Sequence, residues 1–460
     1  MKLRTRRIIM FAFILTFFIL APILIFYASG YRYDLKRQKI LKTGTLMLES
    51  KNQKKAEVYI NNVLYEKPLN EKIYIYNLLP GDYQLRLAKE GYFSWQKKIT
   101  INSGITTFAQ NIILFKNEVP LQIVDGQVGD FSFSPDGQKF IYLIANDPFS
   151  ELYIYDLLTN EKNLIYRTSL QKEIGIEWAA SSKKFLVKFN NNYLVFDQQN
   201  LKQAIDLSDL LGLTPDQVKW DLKNDNLLFA QAQNTLYTID IFDKKTQQLF
   251  NLPKKQLNPE FFIEANDIFY IQMEDSQNIL YKYNQIFKTT LKILELPKSN
   301  AYKFIKSTNN YIGLIDSDQN KLYLIKKTNT ESEINIRLDE PVKQFEAKNA
   351  VWDSQEKQLI IYDDFEINIY NTATNEKYFI NRYGQIIKKI AWYPDLNHLV
   401  ILFENSIQII DLDQANNERS IIDLVKFDSL NNFYLETKGE KIYLSGKIGK
   451  QQGFYQVNLR

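Results

Sequence analysis

Four of the five tryptophans in this chain stand in one register of one repeat, and no other feature restricts its fold as strongly. The unit is an anchor residue followed seven residues later by the start of a hydrophobic strand. Trp178 precedes Phe185, Trp220 precedes Leu227, Trp352 precedes Leu359 and Trp392 precedes Leu399. Phe133 and Phe140 open the series, and weaker copies run from Phe261 to Ile268, Phe304 to Tyr311 and Leu435 to Ile442. Successive anchors lie 40 to 48 residues apart. A further strand follows each pair and often closes on Asp or Asn, as at 152–156, 193–197, 367–371 and 407–411. There the Asx side chain is placed to bond the backbone of the next turn. A short outer strand comes next, as at 291–296 or 334–338. Four strands per unit of about 40–45 residues are the pattern of a β-propeller blade.

A single four-stranded blade cannot bury both of its faces. Stacking blades buries them, and closing the circle leaves only short edges. Eight anchors predict eight blades over residues 119–460. Trp178, Trp220, Trp352 and Trp392 then read as packing residues between blades rather than as ligand platforms, because a large ring at a fixed strand position is what such packing needs. The last copy offers only three strands, at 432–437, 441–445 and 453–459. The unassigned strand at 120–124 is expected to complete that blade and tie the ring shut.

The composition narrows the chemistry. There is no cysteine, which removes disulfides, thiolate metal sites and a cysteine nucleophile. A single histidine, His398, removes multi-histidine zinc sites and argues against Ser-His catalysis; it reads as a strand-edge residue of the seventh blade. Basic and acidic residues nearly balance, 57 against 53, which argues against a nucleic-acid partner. No nucleophile elbow, phosphate loop or His-Glu-x-x-His motif occurs. Asp363-Asp364 reads as a hairpin turn between Tyr362 and Phe365. Asp316-Ser317-Asp318 has a calcium-like spacing but lacks the glycine and terminal glutamate of a calcium loop. The sequence assigns no catalytic, cofactor-binding or metal-ligating residue.

The amino-terminal end carries a different signal. Residues 8–27 form an uncharged apolar run, long enough as a helix to cross a bilayer core of about 30 Å. It exceeds the usual 7–15 residues of a signal-peptide core, so an uncleaved anchor is expected, although Ala28-Ser29-Gly30 leaves cleavage open. Lys2, Arg4, Arg6 and Arg7 precede the run, and Arg32, Lys36, Arg37, Lys39 and Lys42 follow it. Both flanks are basic; the arginines before the run lie closer to it, which favours residues 1–7 in the cytoplasm and everything after Gly30 outside, including most of the juxtamembrane segment 28–43. The basic stretch 36–42 either touches lipid phosphates or is a solvated flank.

Between anchor and repeat, residues 44–116 alternate in the manner of a small β-sandwich. Strands are expected around 45–49, 57–60, 72–76, 83–87, 99–101 and 108–114, with a turn at Asn61-Asn62 and another at Pro80-Gly81. Tyr92, Phe93 and Trp95 are expected to cap its core. Leu78-Leu79-Pro80-Gly81-Asp82-Tyr83-Gln84-Leu85, then Lys89-Glu90-Gly91-Tyr92, Trp95 and Gly104, resemble the PEGA domain family. The earlier part departs from that pattern, with Gln53-Lys54-Lys55-Ala56 where the family is named for Pro-Glu-Gly-Ala. The resemblance implies an envelope module without catalysis. In the repeat, Ser134-Pro135-Asp136-Gly137 and its cousin Trp392-Tyr393-Pro394-Asp395 resemble the TolB and WD40-like (PD40-type) propellers. Those of prolyl-oligopeptidase-type enzymes are similar, but no hydrolase domain accompanies the repeat here.

The sequence thus predicts an all-β chain: a transmembrane helix, a PEGA-like β-sandwich and an eight-bladed β-propeller. The expected function is non-catalytic binding or scaffolding at the cell envelope. The bilayer is the partner of residues 8–27, and a protein, peptide or glycan is the partner of the propeller surface. A hydrolase or lyase using channel carboxylates on envelope glycan or peptide is the alternative, and a receptor facing the cytoplasm a third.

Overall fold

The structure is a computed structural model that describes residues 3–51, 55–170, 174–190, 192–252, 260–274, 277–327, 342–413 and 418–460. Helix α1 (Leu3–Ala28) buries none of its side chains against the protein and is long and apolar enough to cross a membrane. Gly30 then turns the chain with φ 85°. The juxtamembrane segment folds into a hairpin of β1 (Tyr31–Asp34) and β2 (Lys39–Lys42).

Seven strands follow: β3 (Gly44–Ser50), β4 (Glu57–Ile60), β5 (Val63–Leu64), β6 (Lys72–Leu78), β7 (Gly81–Ala88), β8 (Trp95–Ile101) and β9 (Thr106–Ile112). They make a three-stranded sheet, β6-β3-β9, and a four-stranded one, β5-β4-β7-β8. Strict alternation builds the core between them. In β7, Leu85 and Leu87 are buried while Asp82 and Gln84 face solvent. Leu46 and Leu48 of β3 meet Val58, Leu85, Leu87 and Trp95 from the opposite sheet. Asn61 and Asn62 take the left-handed conformation expected of that turn. Of the departure from the family pattern at 53–56, residues 53 and 54 lie outside the described residues, while Lys55 takes φ 62° and Ala56 is buried and bridges to Leu69. Phe93 does not cap this core. Its N–H donates to the Phe115 carbonyl at 2.8 Å, and its ring packs with the propeller instead, because the chain must leave β7 toward that neighbour before returning as β8.

The remainder is an eight-bladed β-propeller: among the described residues it forms eight four-stranded antiparallel sheets, and blades 1 to 7 take their strands in chain order. The fourth strands are the outer rim; Glu161–Ser169 of blade 1, for instance, contains no buried residue. The first strands lie at the centre, close enough to bond one another. Apolar clusters bridge adjacent blades, as where Ile141 and Leu143 of blade 1 pack with Trp178 and Phe185 of blade 2. The seven-residue step of the repeat is a cross-strand pair: Phe133 faces Phe140, Trp178 faces Phe185, Trp352 faces Leu359, Trp392 faces Leu399 and Leu435 faces Ile442. Blades 3 to 5 slip from that register, with Trp220 opposite Leu228, Phe261 opposite Tyr270 and Phe304 opposite Leu314. In blade 5 the fourth strand is Lys343–Glu346; the strand expected at 334–338 lies outside the described residues.

Blade 8 has Ser429–Leu435, Lys441–Ile448 and Gln451–Asn458 from the carboxyl end of the chain. Its fourth strand, β10 (Leu121–Asp125), comes from before blade 1 and pairs Leu121 with Gln456, Gln122 with Tyr455 and Asp125 with Gly453.

Candidate functional site

The anchor tryptophans do more than pack. The Trp178 indole N–H donates to the Ser132 carbonyl at 3.2 Å, Trp220 to Glu177 at 3.3 Å and Trp392 to Val351 at 3.0 Å. Each acceptor is the residue just before the anchor of the preceding blade. One side chain therefore buries its ring between two blades and bonds their inner strands together. Trp352 keeps the ring but has no partner for its N–H. The preceding inner strand is only Tyr302–Phe304, in the slipped register, so its carbonyl is not presented to the indole.

Between blades 7 and 8 these inner strands leave a cavity of about 440 Å³. Trp392, Tyr393, Phe433 and Tyr434 wall it, and Lys389 and Glu436 supply its charge. The Lys389 ammonium donates to Asn432 Oδ1 at 2.8 Å and to the Phe433 carbonyl at 2.9 Å, and sits 5.0 Å from the centre of the Phe433 ring. Burial pushes its pKa down from 10.5 to about 8. Glu436 has one carboxylate oxygen, Oε2, buried and without a hydrogen-bond partner. Tyr434 is held rigid by stacking on Phe133 of blade 1, centroids 3.8 Å apart. A carboxylate-bearing residue in an aromatic wall suits a cationic group.

The small domain is fixed to the same two blades. Ile113 and Phe115 leave β9 and enter the apolar cluster of blades 7 and 8, where the Phe115 ring meets Tyr393 edge-on at 5.3 Å. Lys97 of β8 is wholly buried and donates to Asp413 Oδ2 at 2.8 Å and to the Asp413 carbonyl at 2.9 Å, with Asp411 Oδ2 3.8 Å away. Burial raises the pKa of Asp411, and the charges of His398 and Lys97 hold it back. The Lys116 N–H donates to the Leu459 carbonyl at 3.0 Å.

The residues singled out in the sequence are dispersed. His398 lies at the start of its strand, its Nδ1 2.8 Å from Asp395 Oδ2 and its ring 5.6 Å from Phe115, under the joint between domains. Asp363 accepts from the N–H groups of Phe365 and Glu366 and so holds a hairpin turn. Asp316 and Asp318 both accept from Ser299, and Asp316 also from two backbone N–H groups of the following turn. Three acids lie on the described inner strands, each in its own blade: Asp130 accepts the N–H of Ile174, Glu264 pairs with Lys327 at 2.5 Å, and Glu177 has its pKa raised by burial. Lys389, Glu436 and Lys97 carried no motif. The available signal was a lysine pair, Lys388-Lys389, running into an inner strand otherwise made of Ile, Ala and Trp.

The fold of the small domain and its glycine turn agree with a comparison to known families. Residues 43–112 are a PEGA domain. No curated protein matches the sequence. Among solved structures, the chain is similar to the Dos1 propeller at 14% identity and a TM-score of 0.50, covering 74% of this chain and 95% of that one. The Cps50 (Swd1) propeller of Myceliophteria thermophila is 10% identical with a TM-score of 0.43, over 67% of this chain and 99% of that one. Dihydro-heme d1 dehydrogenase NirN is 11% identical with a TM-score of 0.45, over 68% and 69%. At 14% identity the likeness to the Dos1 propeller is one of fold.

Proposed function

We propose that this chain is a membrane-anchored, envelope-exposed scaffold whose propeller binds a ligand without acting on it chemically. The observation that carries the reading is the joint between the domains. The PEGA domain is fixed by Lys97 and Phe115 to the two blades that frame the aromatic cavity, so anchor, spacer and candidate site are mechanically continuous. Domain limits at 44–116 and 119–460, with the strand at 120–124 serving the ring, fit this division of labour. The cavity favours a peptide that brings a lysine or arginine side chain, or an amino terminus, to Glu436 between Trp392 and Tyr434. A channel hydrolase or lyase would need two carboxylates facing one reacting bond; Asp130, Glu177 and Glu264, the acids of the described inner strands, each sit on a different blade.

The test is capture by the full-length chain in nanodiscs, against arrays of basic and acidic peptides and of envelope glycans. Stoichiometric retention of basic peptides, lost in Glu436→Gln, supports the reading. Turnover of any array member overturns it. Protease digestion of intact cells should cleave the propeller if it faces outward, and spare it if it faces the cytoplasm.

A further inference from the structure

The hairpin of β1 and β2 belongs to neither the helix nor the sandwich core, and its two faces differ sharply. Directly paired residues share a face, so Tyr31 and Lys42 lie beside Tyr33 and Ile40 on one side, and Arg32, Asp34, Lys39 and Leu41 lie on the other. The second side is the one turned to the protein. Arg32 donates to the Tyr27 carbonyl at 2.7 Å and to Asn77 at 3.2 Å, and its guanidinium covers the Tyr27 ring at 3.6 Å. Asp34 is buried and accepts the N–H of Lys36 at 2.9 Å. Arg37 donates to the Pro80 carbonyl at 2.9 Å, and Thr43 closes the base of the hairpin through two bonds of 2.8 Å to the Gly30 carbonyl.

On the first side only Lys42, at the base, runs back along Gly104 of the PEGA domain; the rest is apolar where solvent should favour polar groups. Tyr33 is 56% exposed, Ile40 61%, and Leu35 at the tip 83%. Tyr31 continues this surface into the helix, its ring edge-on to Phe26 at 5.4 Å. Lys36 next to the tip and Lys39 on the other side of its strand are both exposed, while the one acid of the hairpin, Asp34, is turned inward.

We propose that this hairpin is a membrane-surface element. Tyr31, Tyr33, Leu35 and Ile40 seat in the interfacial layer where helix α1 leaves the bilayer, and the exposed Lys36 and Lys39 engage anionic lipid headgroups. The occupant follows from position. The apolar run ends at Tyr27, and a hairpin that begins at Tyr31 with four-residue strands of about 3.3 Å per residue stays within roughly 15 Å of the helix end. Aromatic rings with polar tips, flanked by lysines, are the side chains that such a layer retains. Seating the hairpin would also fix the tilt of the PEGA domain, because Arg37 and Thr43 tie the two together. The inference rests on the reading of α1 as a membrane anchor and is independent of which side the domains face.

The cysteine-free sequence makes the test direct, since one introduced cysteine carries one dye. Full-length chain with an environment-sensitive dye at Leu35→Cys, Ile40→Cys, Ile14→Cys or Phe242→Cys is placed in nanodiscs holding quencher-labelled lipid. The discs contain phosphatidylcholine alone or with phosphatidylglycerol. Quenching at 35 and 40 is expected to be roughly twofold stronger with phosphatidylglycerol, and to fall back in Lys36→Gln/Lys39→Gln. Position 14 should be quenched in all discs and position 242 in none. If 14 is quenched while 35 and 40 report water, the hairpin inference fails and the anchor stands. If 14 also reports water, both fail. Equal quenching at 35 and 40 in the two lipids, unmoved by the glutamine pair, overturns the headgroup contact.

Discussion

The indole N–H separates two tryptophans that are otherwise alike. Trp178 and Trp352 are 8% and 7% exposed and occupy the same place in their blades, yet only Trp178 has an acceptor. Replacing each by phenylalanine removes similar ring area. Trp178→Phe also leaves the Ser132 carbonyl without its donor and should cost about 1 kcal/mol more than Trp352→Phe. Urea unfolding of the two variants at matched m-values checks this. Lys389 makes a second residue-scale prediction. Its folded pKa is lowered from 10.5 to about 8, so between those values the unfolded chain binds more protons than the folded one. Stability from this group therefore rises with pH across that window and is flat below it. Lys389→Met should abolish the rise, measured as the unfolding midpoint from neutral pH to about 9.5. Higher pH is unhelpful, because buried tyrosines such as Tyr393, raised to about 12, oppose the trend as the unfolded chain ionises.

At the level of elements, ring closure depends on one glycine as well as on one strand. A Cβ on Gly453 would lie far inside contact distance of the Val124 carbonyl and the Gln122 amide, where β10 bulges between Gln122 and Val124. Gly453→Ala must push the closing strand outward and should cost about 1–3 kcal/mol. Deleting residues 119–125 should lower the melting temperature more sharply still, since blade 8 then loses its fourth strand and blade 1 its anchor to the ring. An unchanged melt in the deletion would show that the ring holds without it. The blades themselves were readable because packing forces a period: a large ring every 40 to 48 residues and an Asx at the strand end leave marks in any sequence. The Asx bonds occur as the pattern implied, with Asp156, Asp197 and Asn371 each accepting the N–H two residues on. The slip in blades 3 to 5 was not readable, since Phe261 and Phe304 satisfy the apolar pattern in more than one register. The β1–β2 hairpin was missed for a related reason. Tyr33 and Ile40 face outward while Arg32 and Asp34 face inward, which inverts the alternation by which a half-buried strand is recognised.

The whole molecule turns on the joint between PEGA domain and propeller, which no local pattern could reveal because Lys97 and Asp413 are 316 residues apart. The joint sits at the one place in the ring where the two ends of the propeller meet, so three tasks converge on blades 7 and 8: closure, attachment to the spacer and the candidate cavity. Tyr393 touches each neighbour in turn, meeting Phe115 from the spacer, donating to the Gly439 carbonyl at 2.6 Å in blade 8 and walling the cavity. Lys97 is the polar group on which this arrangement depends most. Its ammonium is fully buried and bonded to Asp413 on the propeller side, and removing it takes one of two cationic neighbours from Asp411, whose burial already disfavours charge. Breaking a fully buried pair costs about 3–5 kcal/mol; with Asp413 partly open to solvent, Lys97→Met should cost about 2 kcal/mol. The form of unfolding should also change. With Lys97 in place, calorimetry of the chain from Thr43 onward is expected to show the PEGA domain and propeller melting together. In Lys97→Met the PEGA domain should melt first as a separate transition, while Phe115 keeps the domains in contact at lower temperature. A single transition shifted as a whole would mean that the apolar contact alone couples the two, and that the buried lysine serves only the stability of the PEGA domain.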